Sequence, residues 1–244
     1  MTVYGLTHRG AVRKENQDSL RFELQEGREV LTAVLCDGMG GARAGSVAST
    51  IAVNAFMSHA ANSLDERSSG ADMRAILSEA VDYANKKVYE RGVSDLECMG
   101  MGSTLVAALI SGRRAMVANV GDSRAYLLSK RKIRQITTDH SLVEDMIARG
   151  KLTREQARTH PQKNIITRAV GVEPAVKCDI FDVKLAPENT LLLCSDGLSN
   201  IVTDAEILAA CQTDTPVEQI CEGLLNLALS RGAPDNVTVF LARR

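Results

Sequence analysis

Val34-Leu35-Cys36-Asp37-Gly38-Met39-Gly40-Gly41 decides how the rest of the chain is read. The apolar run Val30 to Cys36 predicts a buried strand, and it gives way to a carboxylate followed by three glycines within four residues. That pattern puts an Asp at a strand tip, with backbone able to come close to whatever the Asp binds. The same grammar returns at Leu191-Leu192-Leu193-Cys194-Ser195-Asp196-Gly197. A lone Asp-Gly is usually a turn; two on strongly apolar strands ask for partners.

Outward from that stretch, Val3 to Thr7 and Leu20 to Leu24 predict strands, with a charge-dense loop between them and a turn at Glu26-Gly27. After the glycines a helix begins near Ala44, since Val47, Ala48, Ile51, Ala52, Ala55 and Phe56 recur at helical spacing. Asn62 to Ala71 is polar linker. Met73, Leu77, Ala80, Ala84 and Val88 mark a second helix, with Gly92 as its stop. Thr104 to Ser111, Ala115 to Val120 and Ser123 to Leu128 are strands joined tightly, and Ile133 to Thr137 is a further one. Four hydroxyl residues with Glu or Gln three positions on predict capping boxes: Ser141/Glu144, Thr153/Gln156, Thr203/Glu206 and Thr215/Glu218. Ala175 to Leu185 and Asn189 to Cys194 are strands, a helix ends at Gly232, and Val237 to Ala242 closes the series. Consecutive helices after strands predict a helical layer on a sheet, not strict alternation.

The totals exclude several classes. The 244 residues suffice for a large core, and 45 % hydrophobic with 24 % charged residues is globular composition. A net charge of −1 gives no pull toward nucleic acid or anionic membrane. The basic triplet Lys130-Arg131-Lys132 reads as a solvated hairpin tip. With 3 % aromatics and no Trp, the core has to be aliphatic. The six cysteines form no C-x-x-C pair, and neither a secretory signal nor a membrane-length apolar run is present. The expectation is a cytoplasmic protein with reduced thiols.

Asp18, Asp37, Asp122, Asp196 and Asp235 share one context, each beside the end or start of a predicted strand. Carboxylates gathered at one sheet edge repel unless a cation neutralises them. All are hard oxygen donors without His or Cys at ligand spacing, which selects Mg²⁺ or Mn²⁺, allows Ca²⁺ and disfavours zinc. Gly38 can add its carbonyl. The alternative is five unrelated turn or cap aspartates.

Seven motifs then occur in order: R-x-x-x-Q-D at Arg13 to Asp18, C-D-G-M-G-G at Cys36 to Gly41, G-S-T at Gly102 to Thr104, V-G-D-S-R-A-Y at Val120 to Tyr126, T-x-D-H-S-L-V at Thr137 to Val143, C-S-D-G-L at Cys194 to Leu198, and P-D-N-V-T-V at Pro234 to Val239. Together they resemble the metal-dependent PPM family, the 2C class of protein serine/threonine phosphatases, in its compact bacterial form. The resemblance implies an α+β fold over residues 1–244, a four-layer α/β/β/α sandwich of two antiparallel sheets flanked by helix pairs, with a metal centre at one end. It implies that Asp37 bridges two Mn²⁺ or Mg²⁺ ions, Gly38 binds the first, Asp196 and Asp235 complete the second, and Asp18 holds waters. Asp122 with Asp196 matches a third, weaker metal position. Arg13 matches the phosphate grip, and Asn236 a neighbour that orders the site. The implied reaction is in-line hydrolysis of phosphoserine and phosphothreonine by a hydroxide shared between the ions.

Two positions depart from the family pattern. Gln17 stands where many members carry Glu, which removes a negative charge from a water contact. Met39 stands where some eukaryotic members carry His, so water is the expected leaving-group acid. The stretch Gly150 to Arg168 is basic and falls on the family's mobile flap, approximately residues 145–168. Expected partners are phosphorylated proteins including a cognate Ser/Thr kinase, with no nucleic acid, no membrane and a monomeric state. A non-catalytic signalling module, supported only by Gln17 and one that manganese-dependent hydrolysis of p-nitrophenyl phosphate would exclude, is one competing reading; a Ca²⁺-binding structural domain is the other, and it leaves Arg13 beside the carboxylates unexplained.

Overall fold

Side chains alternate across each strand, and in this chain both alternate sets are apolar in the central strands. The computed structural model describes residues 1–25, 27–212 and 215–244. The first half forms β1 (Thr2–His8), β2 (Asp18–Leu24), β3 (Val30–Met39), α1 (Gly41–Ala60), α2 (Gly70–Ser94), a 3-10 turn (Leu96–Cys98), β4 (Gly102–Ser103), β5 (Leu105–Ser111) and β6 (Arg114–Val120). Next come β7 (Arg124–Ser129), β8 (Lys132–Gln135), α3 (Leu142–Ala148) and α4 (Arg154–Arg158). β9 (Asp179–Lys184), β10 (Thr190–Cys194), α5 (Asp196–Ser199), α6 (Asp204–Cys211), α7 (Val217–Ser230) and β11 (Val237–Arg243) complete the order.

One sheet runs β1-β11-β10-β7-β8; the other runs β2-β3-β5-β6-β9, with β4 paired to the end of β3. All pairings are antiparallel. β3 shows how the layers form. Leu31, Ala33 and Leu35 face Leu191, Leu193 and Phe240 of the opposite sheet. Val30, Val34 and Cys36 face Phe56 of α1 and Leu77 of α2. Burial on both sides is why the strand reads as an unbroken apolar run. On the far side Leu192, Cys194 and Leu241 pack against Ile207, Ile220 and Leu224 of α6 and α7. The result is the expected α/β/β/α sandwich.

β6 and β7 belong to different sheets, so the short Gly121-Asp122-Ser123 link crosses from one to the other. That crossing carries Asp122 to the end of the sandwich. Arg124 and Asp139 pin it, with Nε donating at 3.0 Å to both carboxylate oxygens and Nη2 at 2.7 Å. His140 Nδ1 accepts from Gly121 N–H at 3.1 Å, and its Nε2 lies between Asp179 Oδ2 at 3.1 Å and Arg168 Nη1 at 2.9 Å.

Several local expectations are corrected. β3 does not stop at Asp37 but runs to Met39, because Gly38 and Met39 pair with Ser103 and Gly102. Gly92 is buried inside α2, which continues to Ser94 and closes with Arg91 on Asp95 at 2.7 Å. β9 begins at Asp179, since residues 171–178 form a loop held by other contacts. Thr153 and Thr203 form full capping boxes. Ser141 forms half of one, because Glu144 turns to Arg154. α7 starts behind Pro216 with no side-chain cap, so the Thr215/Glu218 box does not form. Glu26 of the expected Glu26-Gly27 turn lies outside the described residues.

Candidate metal centre

Strand register brings the first two carboxylates together: Asp18 opens β2 and pairs directly with Asp37 of β3. Asp37 is fixed through its backbone. Its N–H donates to Thr104 Oγ1 at 2.9 Å, and its carbonyl accepts from Ser103 Oγ at 2.9 Å and Thr104 N–H at 2.8 Å. Gly38 has no alternative, since a Cβ there would lie 1.9 Å from the Gly45 carbonyl oxygen of α1. The helix therefore approaches the strand by backbone alone, with Gly38 N–H donating to the Gln17 carbonyl at 3.0 Å.

The opposite sheet supplies the counterpart. β10 delivers Asp196, whose Oδ2 accepts from Asn200 Nδ2 at 3.0 Å. Asp235 precedes β11 and accepts from Arg13 Nη2 at 2.7 Å. Asn236 ties the loop before β2 to this edge. Its Nδ2 donates to the carbonyls of Arg9 and Glu15 at 2.9 Å, and its Oδ1 accepts from Gln17 N–H at 2.8 Å. Gln17 Nε2 donates to the Gly41 carbonyl at 2.8 Å.

Arg13, Gln17, Asp37, Gly38, Asp122, Asp196, Asp235 and Asn236 thereby line one cleft of about 630 Å³. Asp18 does not line it. It sits behind, 5 % exposed, with Oδ2 accepting from Ser195 Oγ at 2.8 Å and Thr238 Oγ1 at 2.6 Å. Asp18 Oδ1 is buried with no hydrogen-bond partner. The sequence reading missed Ser195 and Thr238 as supports; a hydroxyl inside an otherwise apolar strand run was the available signal.

The electrostatics are those of anions held without enough cations. Burial, followed by the charges of Asp18, Asp196, Asp122 and Asp235, holds the Asp37 carboxyl well above the usual carboxylate range. Burial raises Asp18 to about 7 against the hydroxyl donors Thr238 and Ser195. Asp122 is pushed well up by burial and then by Asp196. Asp196 rises to about 6 through burial and Asp235, with Arg124, Lys163 and Arg13 pulling the other way. A cleft in which every buried acid favours its proton is one that a divalent cation relieves. Among the described residues no group of three His, Cys, Asp or Glu side chains closes tightly enough to grip an ion alone. The donor set has to be completed by main-chain oxygen and water, as Mg²⁺ and Mn²⁺ prefer. Neither His nor Cys lines the cleft, so the donors fit hard cations and do not fit zinc.

The basic flap stretch is partly neutralised. Arg154 pairs bidentately with Glu144 at 2.9 Å, and Arg168 with Asp179 at 3.2 Å. Lys130, at the hairpin tip, pairs with Glu188 at 2.9 Å.

Comparison with known proteins follows this geometry. The family model for protein phosphatase 2C matches residues 5–241. The serine/threonine phosphatase stp of Listeria monocytogenes is 38 % identical over 239 residues, covering 98 % of this chain and 94 % of its own length. The structure of the serine/threonine phosphatase Stp1 from Staphylococcus aureus superposes with a TM-score of 0.92 at 36 % identity, covering 99 % of this chain and 94 % of that one. The catalytic domain of the phosphatase PstP, solved with two manganese ions, gives 0.84 at 34 % identity, with coverage of 98 % and 96 %. With a strand-edge carboxylate cleft, a guanidinium on its rim and a family match along nearly its whole length, the chain belongs to the protein phosphatase 2C family and is a serine/threonine protein phosphatase.

Proposed function

We propose that this cleft hydrolyses phosphoserine and phosphothreonine esters in proteins with two Mn²⁺ or Mg²⁺ ions held by Asp37, Gly38, Asp196 and Asp235. The observation that carries the reading is the set of buried carboxylates with raised proton affinity, drawn from both sheets onto one cleft beside Arg13. Bound there, the ions would lower the pKa of water and draw charge from the phosphate oxygens. The manganese in the PstP structure supports the choice of metal. Asp122 with Asp196 would serve a third, weaker position; both also line the polar cavity under the flap.

The chain's own groups divide the remaining work. Arg13 offers a planar fork to two phosphate oxygens, and its side chain, 55 % exposed, can leave Asp235 to meet them. Asp18 Oδ1 is a buried acceptor free to orient water. Asn236 and Gln17 fix the loop that carries Arg13. Ser195 Oγ is committed to Asp18, and burial raises the Cys194 thiol to about 12, so neither is a nucleophile. Water attacks directly and the departing alkoxide takes its proton from water, because Met39, not His, stands at the cleft wall.

Residues 1–244 act as one catalytic domain, with a flap over about 145–168 that holds the end of α3 and all of α4. Among the described residues no helix is long and apolar enough to cross a membrane. A cytoplasmic monomer that opposes a Ser/Thr kinase is the proposed setting. A phosphothreonine peptide assayed with Mn²⁺, and again with chelator, tests the reading. Turnover should require the metal and vanish in Asp37→Asn. Chelator-insensitive turnover, or a fully active variant, overturns it.

A further inference from the structure

Beside the cleft runs a second depression of about 300 Å³. Met39 and Ile166 line both, so the two adjoin across a shared wall. Away from the cleft an apolar strip of Ala169, Val172, Ala175 and Val176 is edged by Thr167, Arg168, Glu173 and Lys177. Gly102 lets the two sides meet. A methyl group placed on it would fall 2.7 Å from Val172 Cγ2 and 2.8 Å from Met39 Cε. Met39 and Val172 therefore pack over the same stretch of bare backbone.

The outer wall is a built structure. Asn85 of α2, 1 % exposed, donates through Nδ2 to the Glu173 carbonyl at 3.1 Å and the Pro174 carbonyl at 3.2 Å. Its Oδ1 accepts from Gly171 N–H at 2.8 Å. A buried amide thus spends its capacity on holding residues 171–174 in place, while Val172 itself remains 43 % exposed. An apolar wall clamped from behind and left open to solvent is preorganised for a ligand.

We propose that this groove is a specificity subsite that takes an apolar side chain of the substrate polypeptide a few residues from the phosphorylated Ser or Thr. The proposal rests on the phosphatase reading of the adjoining cleft. Adjacency to that cleft is what selects the occupant. An extended peptide advances about 3.3 Å per residue, so a chain whose phosphate lies at Arg13 has its neighbours over Met39 and Ile166. Met39 suits this place, being unbranched and able to adapt to varied partners. The guanidinium of Arg168, bonded to Asp179 and the Lys177 carbonyl, braces the rim.

The test uses phosphothreonine peptides that carry Leu, Ser or Asp in turn at each position within about four residues of the phosphate. With the parent chain and Mn²⁺, one position should show kcat/KM falling roughly tenfold from Leu to Asp. Val172→Asp, which charges the wall, and Ala175→Trp, which fills the groove from an exposed position, should each flatten that preference. Both should leave turnover of p-nitrophenyl phosphate unchanged, since that substrate is too small to reach the groove. Absence of a Leu preference at every position overturns the proposal, as does a preference that survives both variants. A flat peptide profile with a self-association in light scattering that Val172→Asp abolishes makes the groove a contact between copies and also overturns it. In all those cases p-nitrophenyl phosphate is still turned over. Failure of that turnover in the parent chain breaks the phosphatase reading, and the subsite with it.

Discussion

At Asp37-Gly38 the strand keeps going and pairs with β4, whereas at Asp196-Gly197 the strand has ended and α5 begins. Both glycines are there for close approach. A Cβ on Gly38 would lie 1.9 Å from the Gly45 carbonyl oxygen, and one on Gly197 lies as near the Asn236 carbonyl oxygen, at 1.9 Å. The carboxylates differ. Asp37 is surrounded by four other acids, while Asp196 also feels Arg124, Lys163 and Arg13 and accepts from Asn200. One dipeptide grammar therefore serves two electrostatic tasks, a central acid whose charge is strongly opposed and a peripheral one whose charge is already partly balanced.

Asp37→Asn and Asp196→Asn test whether the two ends are partners. Each should cost about a thousandfold or more in metal-dependent kcat, measured on a phosphothreonine peptide with folding checked by circular dichroism. Substantial activity in one variant alone would break the pairing. Arg13→Ala should cost about tenfold in kcat/KM, the low end for a charged hydrogen bond because the side chain is half-exposed. Arg13→Lys should recover only part of that loss; full recovery would remove the fork from the argument.

Stability separates the two ends further. In chelator, Asp37→Asn removes the cost of burying and protonating a carboxyl among four other acids and should raise Tm, at about 2–4 °C per kcal/mol for a chain of this size. Asp196→Asn should move Tm less, because its charge is already offset. Equal shifts in scanning fluorimetry would erase the distinction. The smallest expected effect is with pH. Asp18 at about 7 and Asp196 at about 6 stand above their unfolded value of 3.8. The folded chain therefore holds more protons than the unfolded one between about pH 4 and 7, and the stability of chelated protein falls as pH rises through that window. Cations compete with those protons, so Mn²⁺ should raise Tm more at about pH 8 than at about pH 5. The opposite trend would mean that the carboxylates are charged in the metal-free fold.

Much of this was legible in the chain itself. Val30–Cys36 and Leu191–Cys194 are apolar because both of their faces are covered, and that pattern is visible without a structure. Arg13 and the cleft carboxylates were legible through ordered motifs, whereas Asn164 and Ile166, which also line the cleft, fall in no such motif. Asp18 was placed in the right neighbourhood but not in its setting, because its hydroxyl partners are 177 and 220 residues away. Gly92 misled for a related reason: helix propensity predicts a stop, and burial against α2's neighbours overrides it. The loop 171–178 reads as strand by alternation alone; the Asn85 amide that holds its first part lies about a third of the chain earlier, beyond any local pattern.

β11 sits between β1 and β10, and it is the last of the described strands in chain order. Thr238 on that strand secures Asp18, and Asp235 and Asn236 just before it complete the cleft. A chain cut before Pro234 keeps Asp18, Asp37, Asp122 and Asp196 but lacks Asp235, Asn236 and the strand that joins β1 to β10. Such long-range closure makes insertion of this strand the natural late step of folding.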